Sequence, residues 1–302
     1  MTLRHLRTGA AIACLAVAAL ALTACGGSSA QSGDSGSGDS GKVKVVASTN
    51  VWGSVVQAVG GDAVDVHSVI ADPSADPHSY ESKPTDIAAV GGAKLVVFNG
   101  GGYDDFFTKL LSENGKDAKQ IEAYAVSGQS DENEHVWYDL PTVRKVADKI
   151  AEELSAAAPA KKDTFTANAK DFDAKLDALQ TKVAKIGPAK VVVTEPVPHY
   201  LLKAAGVEDV TPADFTEAIE NETDVPVAAL SATTDLITNK QVDALVNNVQ
   251  TENSVTKQLV DKAGAAGIPV VGVTETLPEG VSGYLDWMTK QVDALSGALG
   301  KK

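Results

Sequence analysis

Short β-branched runs alternate with stretches of helical period along most of this chain. VKVVAST (43–49), VDVHSVI (64–70), KLVVFNG (94–100) and the weaker AKQIEAYAV (118–126) come first. AKVVVTE (189–195), EDVTP (208–212), VDALVNN (242–248) and IPVVGVTE (268–275) follow after the middle. Strands alternating with helices predict parallel sheets joined by right-handed crossovers. Two such groups predict two α/β lobes. KVVAST and KVVVTE look like one opening strand used twice, although six residues do not establish a duplication.

A long helical stretch separates the groups. Pro141 stands near a helix start, ahead of an apolar stripe of Val143, Val146, Ile150 and Leu154. Phe165, Phe172, Leu176, Leu179, Val183 and Ile186 continue at spacings of three, four and seven, and Gly187-Pro188 stops the pattern. One helix over 161–186 would be roughly 39 Å long at 1.5 Å per residue, enough for a rigid strut. The expected fold class is α/β, with two lobes, each a mainly parallel sheet flanked by helices, joined by a long rigid backbone helix. The N-terminal lobe is expected over 43–140, the helical region over 141–187 and the C-terminal lobe over 188–302.

The first residues change the picture of where the protein works. MTLRHLR is basic, TGAAIACLAVAALAL is apolar but short of the ~20 residues a spanning helix needs, and LTAC ends the segment. Residues 1–24 read as a secretory signal. LTAC resembles a bacterial lipobox, which makes Cys25 the lipidated first residue of the mature chain and a lasting tether to the cell membrane. Residues 25–42 follow as a Gly/Ser-rich linker. The 17 residues after Cys25 hold no apolar side chain larger than alanine and reach roughly 20–25 Å as a flexible coil. With Cys14 in the leader and Cys25 acylated, any metal site must be built from nitrogen and oxygen. Losing Arg4 and Arg7 with the leader takes the formal net charge from −14 to −16. That acidity argues against nucleic acid and against an anionic membrane face, and suits attraction of cations as well as plain solubility.

Only five histidines occur. His78 sits in ADPSADPHSYESKP after the second expected strand, and His135 in DENEHVWYDLP after the fourth. Glu195 and Glu275 close the strands KVVVTE and PVVGVTE. All four lie at or beyond the carboxyl ends of strands, two from each lobe, where open α/β sheets bind ligands. Two imidazoles and two carboxylates there would make a four-coordinate site for a divalent cation, whose charge the carboxylates cancel. Singly, each has a plainer role: His78 as a helix cap, Glu195 as an acid ahead of Pro196 at a helix start, Glu275 as an exposed loop acid. His67, inside a strand, reads as an ordinary polar residue.

ADPHSYE, NEHVWYD, KVVVTEPVPHYLLKAAG and IPVVGVTETLPEG, in that order around a long central helix, resemble the zinc/manganese family of solute-binding lipoproteins that serve ABC importers. The resemblance covers almost the whole mature chain. It implies two lobes joined by a backbone helix, one transported Zn2+ or Mn2+ ion between them, a membrane permease as partner, and a monomer. It makes His78 the first ligand and His135 the second, with Glu134, Trp137, Tyr138 and Asp139 as the wall that orients the ring and keeps it dry. Counting eleven back from Gly206 puts the third ligand on Glu195, with His199 as runner-up. The fourth, usually Asp in the family, falls on Glu275.

SGQSDENE is acidic but lacks the histidines that zinc-dedicated members often carry before the second ligand. Glu at the third position leans toward manganese, whereas the Irving–Williams order favours zinc, so both stay open. A metallohydrolase would need an open coordination position and a general base; HExxH is absent, and GGGYDD (100–105) lacks the lysine and spacing of a phosphate loop. An adhesion lipoprotein would instead present a surface indifferent to metal.

Overall fold

The computed structural model describes residues 41–300 apart from Ser74, Asp76, His78, Lys116 and residues 130–132. The predicted leader, Cys25 and nearly all of the linker lie outside the described residues. Among those that are described, no helix is long and apolar enough to cross a membrane.

Strands β1 (Val43–Thr49), β2 (Val64–Ile70), β3 (Leu95–Phe98) and β4 (Lys119–Glu122) form a parallel sheet in the order β2-β1-β3-β4. Strands β5 (Ala189–Val193), β6 (Val207–Asp209), β7 (Ala244–Asn248) and β8 (Val270–Val273) form a second, in the order β6-β5-β7-β8. The two sheets thus share one topology. In each, the order reverses beside the first strand, the place where a crevice opens at the carboxyl edge.

Helices α1 (Asn50–Gly60), α2 (Pro84–Gly91), α3 (Asp105–Asn114) and α4 (Ala123–Ser127) accompany the first sheet; α7 (His199–Ala205), α8 (Ala213–Glu220), α9 (Val227–Thr238) and α10 (Ser254–Ala266) accompany the second. Between them run α5 (Leu140–Ala157) and α6 (Lys162–Val183), and α11 (Tyr284–Leu299) closes the chain. The strut is shorter than its sequence pattern: α6 has 22 residues, about 33 Å, because Ala184–Ile186 leave the helix as turns. The fourth strand is also shorter than its apolar run, since Ala123–Ser127 coils into α4.

Alternation along the strands divides the interior into layers. Val45 and Ala47 face an inner core and Val46 an outer one; Val191 and Val193 repeat this with Val192. The inner core is continuous. It runs from Val45 and Val97 through Val143, Ile150, Phe165, Phe172 and Leu176 to Val193, Val246 and Val273. Helices α5, α6 and α11 therefore join the sheets by packed side chains, not merely by chain connection.

Candidate metal centre

On the C-terminal side, three parallel strands end at one edge. Glu195 lies two residues past β5 and Glu275 two past β8, while Asn248 is the last residue of β7, between them in the sheet. The carboxylates are 5 % and 1 % exposed, so Glu275 is not the exposed loop acid of the plainer reading. One amide nitrogen, Nδ2 of Asn248, donates to Glu195 Oε2 and to Glu275 Oε1, the latter at 2.7 Å. Asn248 is itself fixed by its N–H on Thr194 Oγ1 at 2.9 Å and by accepting from the N–H of Gln250 at 3.2 Å. Thr251 Oγ1 donates to the other oxygen of Glu195 at 2.5 Å, and the N–H of Glu275 donates to Gln250 Oε1 at 2.5 Å. Two buried carboxylates converging on one amide are electrostatically costly unless a proton or a metal ion is shared between them.

On the N-terminal side, His135 leads into a short 3-10 turn, Val136–Tyr138, and is fully buried. Trp137 packs edge-on at 5.1 Å between ring centroids and Tyr103 at 6.0 Å. Asn133 Oδ1 accepts the His135 backbone N–H at 3.0 Å and stands 3.3 Å from ring Nδ1. In the tautomer whose Nδ1–H donates to Asn133, Nε2 is the nitrogen open to a metal ion. Nε2 lies 3.6 Å from Glu220 Oε1, and Glu134, His135 and Glu220 offer donor atoms within 4.8 Å of one another. Among the described residues this is the group of three or more possible ligands at such distances.

The GGG turn ahead of Tyr103 supports this loop. Gly100 and Gly101 have φ of +73° and +67°, and a Cβ on Gly101 would stand 2.8 Å from the Tyr124 ring. Asp104 accepts the N–H groups of Asn99 and Gly100, each at 2.7 Å, and Asn99 Nδ2 donates to the Glu134 carbonyl at 2.8 Å. Burial raises the Asp104 carboxyl above its usual range against the pull of those donors.

Bonds cross the cleft close to the candidate ligands. Asn133 Nδ2 donates to the Pro196 carbonyl at 2.9 Å, and Tyr200 Oη to the Asn133 carbonyl at 2.7 Å. Tyr138 Oη donates to the Thr274 carbonyl at 2.8 Å; burial pushes this hydroxyl's pKa up. Gln250 Nε2 reaches the Pro73 carbonyl at 2.7 Å, in the segment that leads to position 78.

The structure thus brings Glu195 and Glu275 together through Asn248, and sets His135 against Glu220. His78 lies outside the described residues. His199, half-buried at the start of α7, lies near enough to Asp209 to draw down a carboxyl that burial raises, and its ring stands edge-on to Tyr200 at 5.1 Å. Gly206, at φ +71°, caps the end of α7. Of the expected wall, Trp137 packs on the His135 ring, while Tyr138 packs on Trp137 and Trp287. Asp139 differs: it accepts from Gln129 Nε2 at 3.2 Å and Thr142 Oγ1 at 2.5 Å, holding the start of α5. His67 is an exposed residue of edge strand β2. Asn133, Asn248, Gln250 and Glu220 were not singled out by sequence. Asn248 carried a signal, being polar at the carboxyl end of a buried strand; Glu220, on a helix end, carried none.

Two parallel α/β sheets joined by packed helices, with two buried carboxylates at the strand ends of the second, have the architecture of a two-lobed solute-binding protein. A family model described as "Zinc-uptake complex component A periplasmic" matches residues 45–298, and the chain belongs to this family, so its place is as the binding component of a metal-uptake complex. It is 31 % identical over 229 residues to the manganese ABC transporter substrate-binding lipoprotein PsaA of Streptococcus pneumoniae, covering 64 % of this chain and 74 % of that one. It is 31 % identical over 188 residues to the iron ABC transporter substrate-binding lipoprotein MtsA of Streptococcus pyogenes, covering 55 % and 60 %. The periplasmic zinc-binding protein TroA from Treponema pallidum superposes with a TM-score of 0.73 at 20 % identity, over 86 % of this chain and 99 % of that one, which is a likeness of fold.

Proposed function

We propose that the chain captures one divalent transition-metal ion, Mn2+ or Zn2+, between its lobes and delivers it to the membrane permease of an ABC importer. His78, His135, Glu195 and Glu275 are the ligands in this reading, with Glu195 in preference to His199. The observation that carries it is the convergence of two buried carboxylates on Asn248 at the carboxyl edge of the second sheet, with a buried imidazole on a segment bonded to that edge. The lobes span 43–140 and 188–302, linked by 141–187. The ion is cargo, bound and released unchanged, and no bond chemistry is asked of the site.

Lipidation of Cys25 would hold the protein on the outer face of the cell membrane as a monomer, with the linker giving it reach to the permease. Elemental analysis of the purified protein, followed by Mn2+/Zn2+ competition titration, tests the capture. One ion per chain supports it, and absence of binding after chelator stripping refutes it. For the anchor, Cys25→Ser is expected to move the protein to the soluble fraction; retention in membranes would point to an uncleaved leader.

A further inference from the structure

The cleft beside Glu195 is a cavity of about 420 Å3, and Glu220 lines it together with Glu222, Glu252, Gln250 and Thr251. Glu220 is the last residue of α8, whose Phe215 and Ile219 are buried in the outer core of the second sheet. Bonds from Asn221 N–H to Glu217 O and from Thr223 N–H to Ala218 O close the helix just behind it. The carboxylate is therefore presented from a fixed position, 16 % exposed, with Oε1 at 3.6 Å from Nε2 of the fully buried His135.

Local forces oppose an acid there. The carbonyl end of a helix repels negative charge, Glu217 stands one turn back on the same helix, and partial burial removes water from the ion. An acid kept against these terms, 3.6 Å from Nε2 of a fully buried imidazole, fits a position where a cation is bound.

We propose that Glu220 is itself a ligand of the captured ion, forming with His135 a donor pair that spans the two lobes. This rests on the metal-capture reading above. A third carboxylate, lining the same cavity as Glu195, raises the oxygen count of the site. Oxygen-rich sites of higher coordination number suit Mn2+, whereas Zn2+ is served by four ligands and gains little from a fifth. Glu220 thus biases the site toward the harder ion.

The test is calorimetric titration of chelator-stripped protein with Mn2+ and with Zn2+, for wild type, Glu220→Gln, Glu220→Asp, Glu217→Gln and His135→Ala. Metal-free melting curves check that each variant folds. Electron paramagnetic resonance of the Mn2+ complex reads the coordination shell directly. Glu220→Gln and Glu220→Asp are both expected to weaken Mn2+ at least tenfold, more than they weaken Zn2+, and to change the Mn2+ spectrum. Glu217→Gln, which removes the same charge one turn away, should stay within about twofold. A Glu220→Gln protein within twofold of wild type for Mn2+, a loss that Glu217→Gln matches, or full affinity in Glu220→Asp would overturn the assignment. If His135→Ala also binds like wild type, the capture reading falls with it; if His135→Ala fails to bind while Glu220→Gln is unchanged, only the role of Glu220 falls.

Discussion

Glu195 and Glu275 stand just past strand ends and share the amide of Asn248, whereas His135 stands on a loop held by Asn133 below it and by Asn99 behind Glu134. The first arrangement inherits its precision from sheet register: β5, β7 and β8 are paired residue by residue, so their carboxyl ends cannot drift apart. The second must be assembled from side-chain bonds, and it uses several. Asn133 alone receives the His135 backbone, faces the ring, and donates to Pro196 beside Glu195. The carboxylates are prepositioned by backbone and the imidazole by a polar network, and the bond from Asn133 to Pro196 aligns one with the other.

This contrast can be broken experimentally, beginning with the largest effect. At free metal about 100 times Kd, binding adds about 2.7 kcal/mol to the stability of the folded protein. For a chain of this size that is roughly a 5–10 °C rise in melting temperature, read by scanning calorimetry before and after chelator stripping. Next comes Asn248→Ala. It leaves two buried carboxylates without their common donor, and the metal-free protein should lose on the order of 2 kcal/mol in denaturant unfolding. The deficit should shrink on metal loading, because the cation takes over the role of the amide.

Ligand substitutions follow. Glu195→Ala should weaken metal binding more than tenfold, over ~1.4 kcal/mol, by titration calorimetry. Glu195→His should retain a site and move its preference toward Zn2+. Asn133→Ala removes the ring's partner and the bond to Pro196 without removing a ligand. Its expected effect is about 1 kcal/mol on stability and a smaller loss of affinity than any ligand variant. Smallest is His199→Ala, expected within about twofold of wild type in affinity, since its ring lies near Asp209 and Tyr200. A crippling His199→Ala would put the third ligand on histidine and make the site zinc-type.

Much of the fold was legible because parallel strands write β-branched runs, near-continuous in buried β1 and still readable in half-exposed edge strand β2. VKVVAST and VDVHSVI match β1 and β2 residue for residue. Legibility failed where a short apolar run suits either state: AKQIEAYAV was read as a strand to its end, yet Ala123–Ser127 is helical, since periodicity cannot separate strand from buried helix over five residues. In the candidate site, the pairing of Glu195 with Glu275 could be read because strand ends in a parallel sheet share an edge. Glu220 could not, because only the packing of α8 carries its carboxylate across to His135. Asn133 looked like one polar residue in an acidic loop; its bonds to the Pro196 carbonyl and from Tyr200 Oη exist only once the lobes are assembled.

The most direct test of the whole account is the position of the ion. A crystal structure of the Mn2+-loaded protein, with anomalous scattering recorded at the manganese edge, locates it without reference to affinity. The account predicts one strong peak between the lobes, bonded to His135 Nε2 and to carboxylate oxygens of Glu195 and Glu275. A peak elsewhere on the molecule, or one between the lobes that leaves His135 and both carboxylates unbonded, would contradict it.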